Sequence, residues 1–355
     1  MYRKLIKPIL FAMNIERAHS TVLFLLRMIG KIPGGRALLR AMYRTEHPSL
    51  EREVFGLRFP NPIGLAAGFD RNGEAFRELS ALGFGFVEIG TVTPQPQAGN
   101  PRPRIFRLPA DRAIINRSGL NNKGLYKAIA QLRHRHDRLI IGGNIGKNTL
   151  TQPSQVAADY LKMFRNLYQY VDYFSINVCC DNCADGSVSH NKAHLMNILQ
   201  PLFDFRRGQN QYRPILLKIS PDLPDPLIDE VTDLMLSTPL DGIVAVNGTF
   251  SRKGLETDEE TLDEIGSGRL SGAPLTQRAI EVVRRIHRRS HGAYPIIGVG
   301  GLMNARDVKA MLAAASLVQL YTGYIYEGPS LVKEICRALI DDAASEASAS
   351  PAPGK

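Results

Sequence analysis

From about residue 61 onward the chain alternates between short apolar runs and longer stretches with helical periodicity. The runs are PIGLAAGF (62–69), FGFVEIGTVT (84–93), LIIGGNIG (139–146), YFSINV (173–178), ILLKIS (215–220), GIVAVNG (242–248), PIIGVGG (295–301) and LVQLYTG (317–323). Amphipathic stretches fit between most of them, EAFRELSALG and AADYLKMFRNLYQY most clearly. Runs that are apolar almost throughout are expected for strands buried on both faces, and hence for a parallel sheet. There are eight runs, the number a closed (β/α)8 barrel requires. An open doubly wound sheet also accommodates them but has no need of that number. The expected class is therefore α/β, a TIM barrel with a helical N-terminal extension.

Chemistry in such a barrel sits at the carboxyl ends of the strands. The run ends carry Asp70 and Arg71, Thr91, Asn144, Asn177, Lys218, Asn247, Gly300 with Gly301, and Tyr321 with Thr322. A single Asn there is most often a turn or helix cap; three of eight strands ending in Asn suit a planar, amide-rich ligand such as a pyrimidine or flavin. Lys218 stands inside an apolar run, where a buried ammonium needs a partner. A carboxylate would serve, and so would a bound phosphate or reduced flavin. The Gly-rich turns GVGG and YTG follow the last two strands, the usual phosphate site of this fold.

Charge and composition change the picture mainly at the N-terminus. The formal net charge is +10 and 44% of residues are hydrophobic, enough for a substantial core. Residues 1–47 hold nine Lys/Arg against Glu16 and Glu46, interleaved with apolar residues at helical spacing. The apolar stretch Val22–Ile29 is broken by Arg27 and is too short to span a bilayer. Two readings stay open: helices lying on an anionic membrane surface, or ordinary docking helices with solvated basic faces. The basic stretch RRIHRRS (284–290) lacks interleaved aromatics and is expected to be a solvated helix end, with no nucleic-acid partner. Four cysteines and no cleavable signal point to a reducing, cytosolic setting. The end of the chain, residues 341–355, is small, polar and Pro-containing and is expected to be disordered.

Three of the four cysteines crowd into YFSINVCCDNCADG, at Cys179, Cys180 and Cys183. A zinc site would need His190 or His194 as fourth ligand, and adjacent cysteines chelate poorly. Cys180 and Cys183 have redox-pair spacing without a thioredoxin-like setting. All three are small loop residues in a third reading, and a catalytic base is a fourth.

The stretches MYRKLIKPILFAMNIERAH, NPIGLAAGFDRNGE, GFVEIGTVTPQPQAGNPRPRIFRL, INRSGLNN, NIGKN, LLKISPDL, GRLSGAPL, PIIGVGG and SLVQLYTGYIYEGP together resemble the membrane-associated, quinone-reducing class of the dihydroorotate dehydrogenases, over nearly everything up to about residue 340. The resemblance implies oxidation of dihydroorotate to orotate, with hydride passing to FMN and electrons to a quinone. It implies FMN contacts at Ala67, Gly68, Thr91, Asn144, Asn177, Lys218, Val246, Gly272, Gly300, Gly301, Tyr321 and Thr322. It assigns substrate contacts to Arg71, Asn116, Arg117, Ser118, Gly119, Leu120, Asn177, Asn182, Asn247 and Gly248. The family's base motif, close to Asn-x-Ser-Ser/Cys-Pro-Asn, aligns its base with Cys180. The resemblance divides the chain into a quinone and membrane domain (1–47), an FMN barrel (48–340) and the tail. It places the protein peripherally on the cytoplasmic side of the cell membrane, with no metal.

Several residues depart from the family pattern. Quinone-reducing members mostly use Ser as base, whereas this chain has Cys180, followed by Asp181 in place of Pro and by Cys183 in place of Thr. Arg71 replaces Lys, Gly248 replaces Thr, and Arg269 interrupts a Gly-Gly-Leu-Ser-Gly turn; Ser118 and Leu120 replace larger residues. Two rivals follow: a flavin-binding relative with altered or no catalysis, and a tRNA dihydrouridine synthase. The latter would need a C-terminal RNA-binding domain, and only about 30 residues follow the eighth run.

Overall fold

The computed structural model describes residues 2–133, 135, 139–179 and 191–349. The chain opens with a short π-helical turn, then α1 (Lys7–Ala12), α2 (Ile15–Lys31) and α3 (Gly35–Tyr43). A hairpin of β1 (Arg52–Val54) and β2 (Leu57–Phe59) leads into the barrel. The remaining strands are β3 (Ile63–Leu65), β4 (Phe86–Val92), β5 (Ile105–Leu108), β6 (Ala113–Asn116), β7 (Ile140–Ile145), β8 (Tyr173–Asn177), β9 (Ile215–Ile219), β10 (Gly242–Ala245), β11 (Arg269–Gly272), β12 (Ile296–Val299) and β13 (Leu317–Leu320). The helices packed around them are α4 (Phe76–Ala81), α5 (Leu125–Leu132), α6 (Val156–Leu167), α7 (Lys192–Arg207), α8 (Asp225–Leu236), α9 (Glu259–Ile265), α10 (Thr276–Arg289), α11 (Ala305–Leu312), α12 (Thr322–Glu327) and α13 (Ser330–Ala349).

Each of the eight apolar runs contains one strand of a closed parallel barrel, in which β3, β4, β7, β8, β9, β10, β12 and β13 succeed one another and β13 pairs back to β3. Both faces of these strands are buried, so alternation between polar and apolar positions is absent from their sequences. The interior is filled from the bottom by Phe59, Phe86, Tyr173, Leu216 and Ile297. Large and small residues alternate across it, as a tapering barrel requires. Gly64 leaves room for the Phe86 ring and Gly142 for that of Tyr173; a Cβ at either position would collide with the ring.

Two additions sit on the carboxyl ends of the strands. One is an antiparallel sheet in the order β11-β6-β5, in which Arg269 lies opposite Asn116. The other is the N-terminal extension, held by polar ties. Arg107 on β5 donates to the carbonyls of Leu10, Phe11 and Met13, which close α1. Arg104 pairs with Glu16 on α2 at 2.9 Å, and the Tyr2 hydroxyl donates to Ile325 O at 2.6 Å.

One expectation is corrected. The final helix α13 continues to Ala349, into the segment expected to be disordered from residue 341. Its alanines and glutamate favour helix, and that outweighs the small, polar character of the stretch. The 284–290 stretch closes α10 at Arg289, with Arg284, Arg288 and Arg289 exposed as expected. Arg285 forks onto Asp229 at 2.7 and 2.6 Å and Arg289 onto Asp233 at 2.8 and 2.7 Å, joining α10 to α8.

Gly64→Ala should force the Phe86 ring out of its layer. The expected loss is about 1–3 kcal/mol, read as a lower denaturation midpoint with an unchanged dependence on denaturant.

Candidate active site

At the top of the barrel a cavity is lined by Ala66–Gly68 after β3, Lys218 on β9, Val246–Gly248 after β10, Val299–Leu302 at the end of β12, and Gln319 and Tyr321–Gly323 on and after β13. The overlying sheet contributes Asn116, Arg269 and Ser271. Eleven of the expected residues therefore meet here: Ala67, Gly68, Asn116, Lys218, Val246, Asn247, Gly248, Gly300, Gly301, Tyr321 and Thr322. Lys218 is only 6% exposed, and its ammonium has no hydrogen bond or ion pair among the described residues. An unpaired ammonium on a cavity wall is a ready partner for a bound anion. Gly300 and Gly301 run at φ 133° and 69°. A side chain on Gly301 would collide with Thr276 at the start of α10, so only glycine lets the turn pack this closely. Ser271 and Thr322 join their hydroxyls at 2.8 Å on the same side.

Thr91, Asn144 and Asn177 stand beside the cavity in a chain of hydrogen bonds. Asn177 Nδ2 donates to Thr91 Oγ1 at 2.9 Å, and Thr91 Oγ1 donates to Asn144 Oδ1 at 2.6 Å. Asn144 Nδ2 donates in turn to Glu88 Oε1 at 2.8 Å and Ser175 Oγ at 3.1 Å. Glu88 is fully buried and also accepts from Tyr173 at 3.0 Å and from Gln319 Nε2 at 2.7 Å. Burial and the Glu88 carboxylate hold the Tyr173 hydroxyl well above its ordinary pKa, so it stays a donor. Gln319 Oε1 has no partner among the described residues, and the residue lines the cavity. Glu88, Ser175 and Gln319 were not singled out from sequence; their signal is a polar residue inside an apolar strand, as for Lys218.

The other expected residues divide. Gly272 lies beside the cavity, at φ 112°, where a Cβ would come within 2.7 Å of Ala113 Cα. Leu120 reaches the same region as Thr91, both near Gly146. Ser118 and Gly119 belong to the turn after β6, where Ser118 N donates to Asn116 Oδ1 at 2.8 Å and Gly119 runs at φ 65°. Ser118 Oγ is buried without a partner among the described residues. Arg117 turns its guanidinium to the carbonyls of Ile265 and Ser267 and over Phe106, away from the first cavity's lining. Cys180 and Asn182, with Asp181 and Cys183, lie outside the described residues. Their approach is anchored: Cys179 is buried, its amide donates to Asn177 Oδ1 at 3.1 Å, and its thiol donates to Lys218 O at 3.4 Å.

Arg71 opens onto a second cavity of about 410 Å³, between the N-terminal helices and the barrel. Its walls are mainly apolar, among them Leu10, Phe11, Val22, Leu26, Phe69 and Tyr324, with Glu16, His19, Arg71, Arg102 and Arg107 among the polar residues that interrupt them. It meets the first cavity at Asn116, Ser271 and Tyr321, which line both. Burial, reinforced by Arg71, lowers the His19 pKa from 6.5 to about 4, so the ring is neutral at pH 7. Burial raises Asp70 to about 6 even though its carboxylate accepts from the amides of Glu74 and Ala75.

The family model for dihydroorotate dehydrogenase matches residues 49–342. The chain belongs to the dihydroorotate dehydrogenase family. A relative from Christiangramia forsetii, named dihydroorotate dehydrogenase (quinone), is 44% identical over 96% of this chain and 99% of its own length. One of the same name from Thermosynechococcus vestitus is 45% identical over 97% and 98%. Among solved structures, dihydroorotate dehydrogenase of Eimeria tenella in complex with ferulenol superposes with a TM-score of 0.84 at 31% identity, covering 95% of each chain. Family membership extends over the N-terminal helices as well as the barrel, since both relatives align along nearly their whole length.

His19 gives the site a pH signature. Between pH 6.5 and 4 the unfolded chain binds a proton at His19 that the folded chain does not, so acidification favours unfolding. Asp70 acts oppositely between about 6 and 3.8, where the folded chain holds the extra proton. Going from pH 7.5 to 5, His19 should cost about 2 kcal/mol. Denaturant titrations of wild type and His19→Phe should differ by that amount in their pH 7.5-to-5 change.

Proposed function

We propose that this chain oxidises dihydroorotate to orotate, with FMN in the first cavity and a quinone reached through the second. The observation that carries the reading is Lys218, a cation 6% exposed whose ammonium has no partner among the described residues, in a cavity that shares a wall with a mainly apolar tunnel. The residues present fit FMN. Lys218 would neutralise negative charge on the ring, while Gly300, Gly301, Tyr321 and Thr322 would receive the phosphate. Bound FMN supplies hydride acceptance and passes two electrons to the quinone.

The protein's part is to bind, orient and deprotonate. Oxidation removes a proton from one ring carbon and a hydride from its neighbour, leaving a ring double bond. Asn116 and Asn247 line the cavity and would hold the substrate's amide edges. Cys180 would take the proton. A thiol's unperturbed pKa near 8.5 lies far closer to neutrality than that of a hydroxyl. Asn177 supports this role through its bond to Cys179 N, which fixes the entry to the Cys180 loop.

The N-terminal helices carry exposed Leu5, Ile9, Phe24, Leu25, Ile32 and Leu38 beside their basic residues. Among the described residues no helix is long and apolar enough to cross a membrane. An apolar, basic face of this kind supports peripheral binding to an anionic, cytoplasmic-side membrane surface, where a quinone would enter the tunnel.

Anaerobic dihydroorotate should bleach the bound flavin. Cys180→Ser should slow bleaching at pH 7 by about 100-fold or more and move the pH profile upward; an unchanged rate and profile would place the base elsewhere, and no bleaching of wild type would favour a non-catalytic flavin binder. Replacing Phe24 and Leu25 together by Ser should weaken binding to anionic vesicles by at least about 10-fold, since each side chain offers roughly 1.5–3 kcal/mol on burial, as sedimentation with the vesicles would report.

A further inference from the structure

The buried carboxylate of Glu88 decides which way the Gln319 amide turns. Gln319 is 1% exposed, and its Nε2 stands 2.7 Å from Glu88 Oε2 and 3.4 Å from the Tyr173 hydroxyl oxygen. Tyr173 donates its own proton to the same Oε2 at 3.0 Å. A carboxylate oxygen has no hydrogen to give, so the amide nitrogen must face it. Turning the amide over would set two acceptors against each other. Gln319 Oε1 therefore faces away from Glu88, where it is buried and has no partner among the described residues.

Glu88, Asn144, Tyr173 and Ser175 do not line the first cavity, and Gln319 does. The same lining contains Lys218, whose ammonium is also without a partner among the described residues. Two unpaired groups of opposite sign thus meet one cavity: a full positive charge on β9 and the negative end of an amide dipole on β13. The two strands stand three places apart around the closed barrel, so the groups approach a bound ring from different sides. In a water-poor site a dipole that cannot turn acts strongly on charge developing beside it.

We infer that Gln319 is a potential-setting residue: its carbonyl oxygen, aimed by Glu88, lowers the reduction potential of the flavin ring against the opposing pull of Lys218. The inference rests on the flavin reading of the first cavity. A hydride brings the ring two electrons and one proton, so the ring becomes more negative by one charge. Lys218 favours that charge and the Gln319 oxygen disfavours it. Their balance divides the driving force between hydride uptake from the substrate and release of the two electrons to the quinone. Glu88 acts through Gln319 and is a positioning residue.

The test equilibrates the flavin-loaded enzyme with a reference redox dye under anaerobic conditions and reads the flavin spectrum. Gln319→Met should raise the reduced-to-oxidised ratio at a given dye potential by about 3- to 10-fold, which is about 15–30 mV for a two-electron couple, at wild-type flavin content. Glu88→Gln can give hydrogens as well as accept them and frees the neighbouring amide to turn, so it should also raise the ratio. In its presence Gln319→Met should add less than about twofold, a non-additivity that shows the two residues acting as one device. Flavin reduction by dihydroorotate should quicken in Gln319→Met and reoxidation by a soluble quinone should slow. If Gln319→Met does not fold, Glu88→Gln alone decides. An unchanged or lower ratio in either variant, additive effects at 88 and 319, or loss of flavin from folded Gln319→Met would each overturn the inference. Failure of the underlying reading looks different and overturns both: wild type itself would carry no flavin that dihydroorotate bleaches.

Discussion

The Glu88 carboxylate is the constraint on which the upper half of the barrel depends. It is completely buried and surrounded by neutral donors from three other strands: Asn144 on β7, Tyr173 on β8 and Gln319 on β13. A charge without water is tolerated only if its acceptor sites stay filled. Any sliding of these strands would break one of those bonds, so the carboxylate fixes their relative heights. Below this level the barrel is filled by Phe59, Phe86 and Tyr173, while Gln319 of the polar layer lines the cavity above. The polar layer is therefore the floor of the cavity. It also sets the next layer, because an Asn144 that must donate to Glu88 presents its oxygen to Thr91, and Thr91 then accepts from Asn177.

The barrel was legible because its strands are buried on both faces, which leaves eight compact apolar runs at regular intervals from residue 61 onward. The strand-end residues were legible for the same reason, since a polar residue at the end of such a run has few structural reasons to be there. What escaped depended on direction and on distant pairing. Asn116 and Arg117 are neighbours in extended chain, where successive side chains point to opposite faces. Asn116 enters the cavity and Arg117 caps carbonyls outside it. Glu88 and Gln319 lie far apart in sequence, and neither suggests the other until the barrel closes. Gly248 and Arg269 each read as an isolated departure, and only their packing shows that one makes room for the other.

The two cavities sort their ligands by polarity. The first offers Lys218 and two asparagines, a lining that repays an anion for its lost water. The second is mainly apolar, and its histidine is neutral at pH 7 because burial and Arg71 disfavour the proton. Arg71, Arg102 and Arg107 interrupt that lining, while its apolar surface favours a neutral, lipid-soluble acceptor. Because the cavities meet only along Asn116, Ser271 and Tyr321 among their described linings, a reductant and an oxidant of opposite polarity can reach one redox centre by different routes. The exposed apolar residues of α1 to α3 surround the tunnel's own helices, so the surface that would meet a membrane and the entrance for a membrane-dissolved acceptor are built from the same short segment of chain.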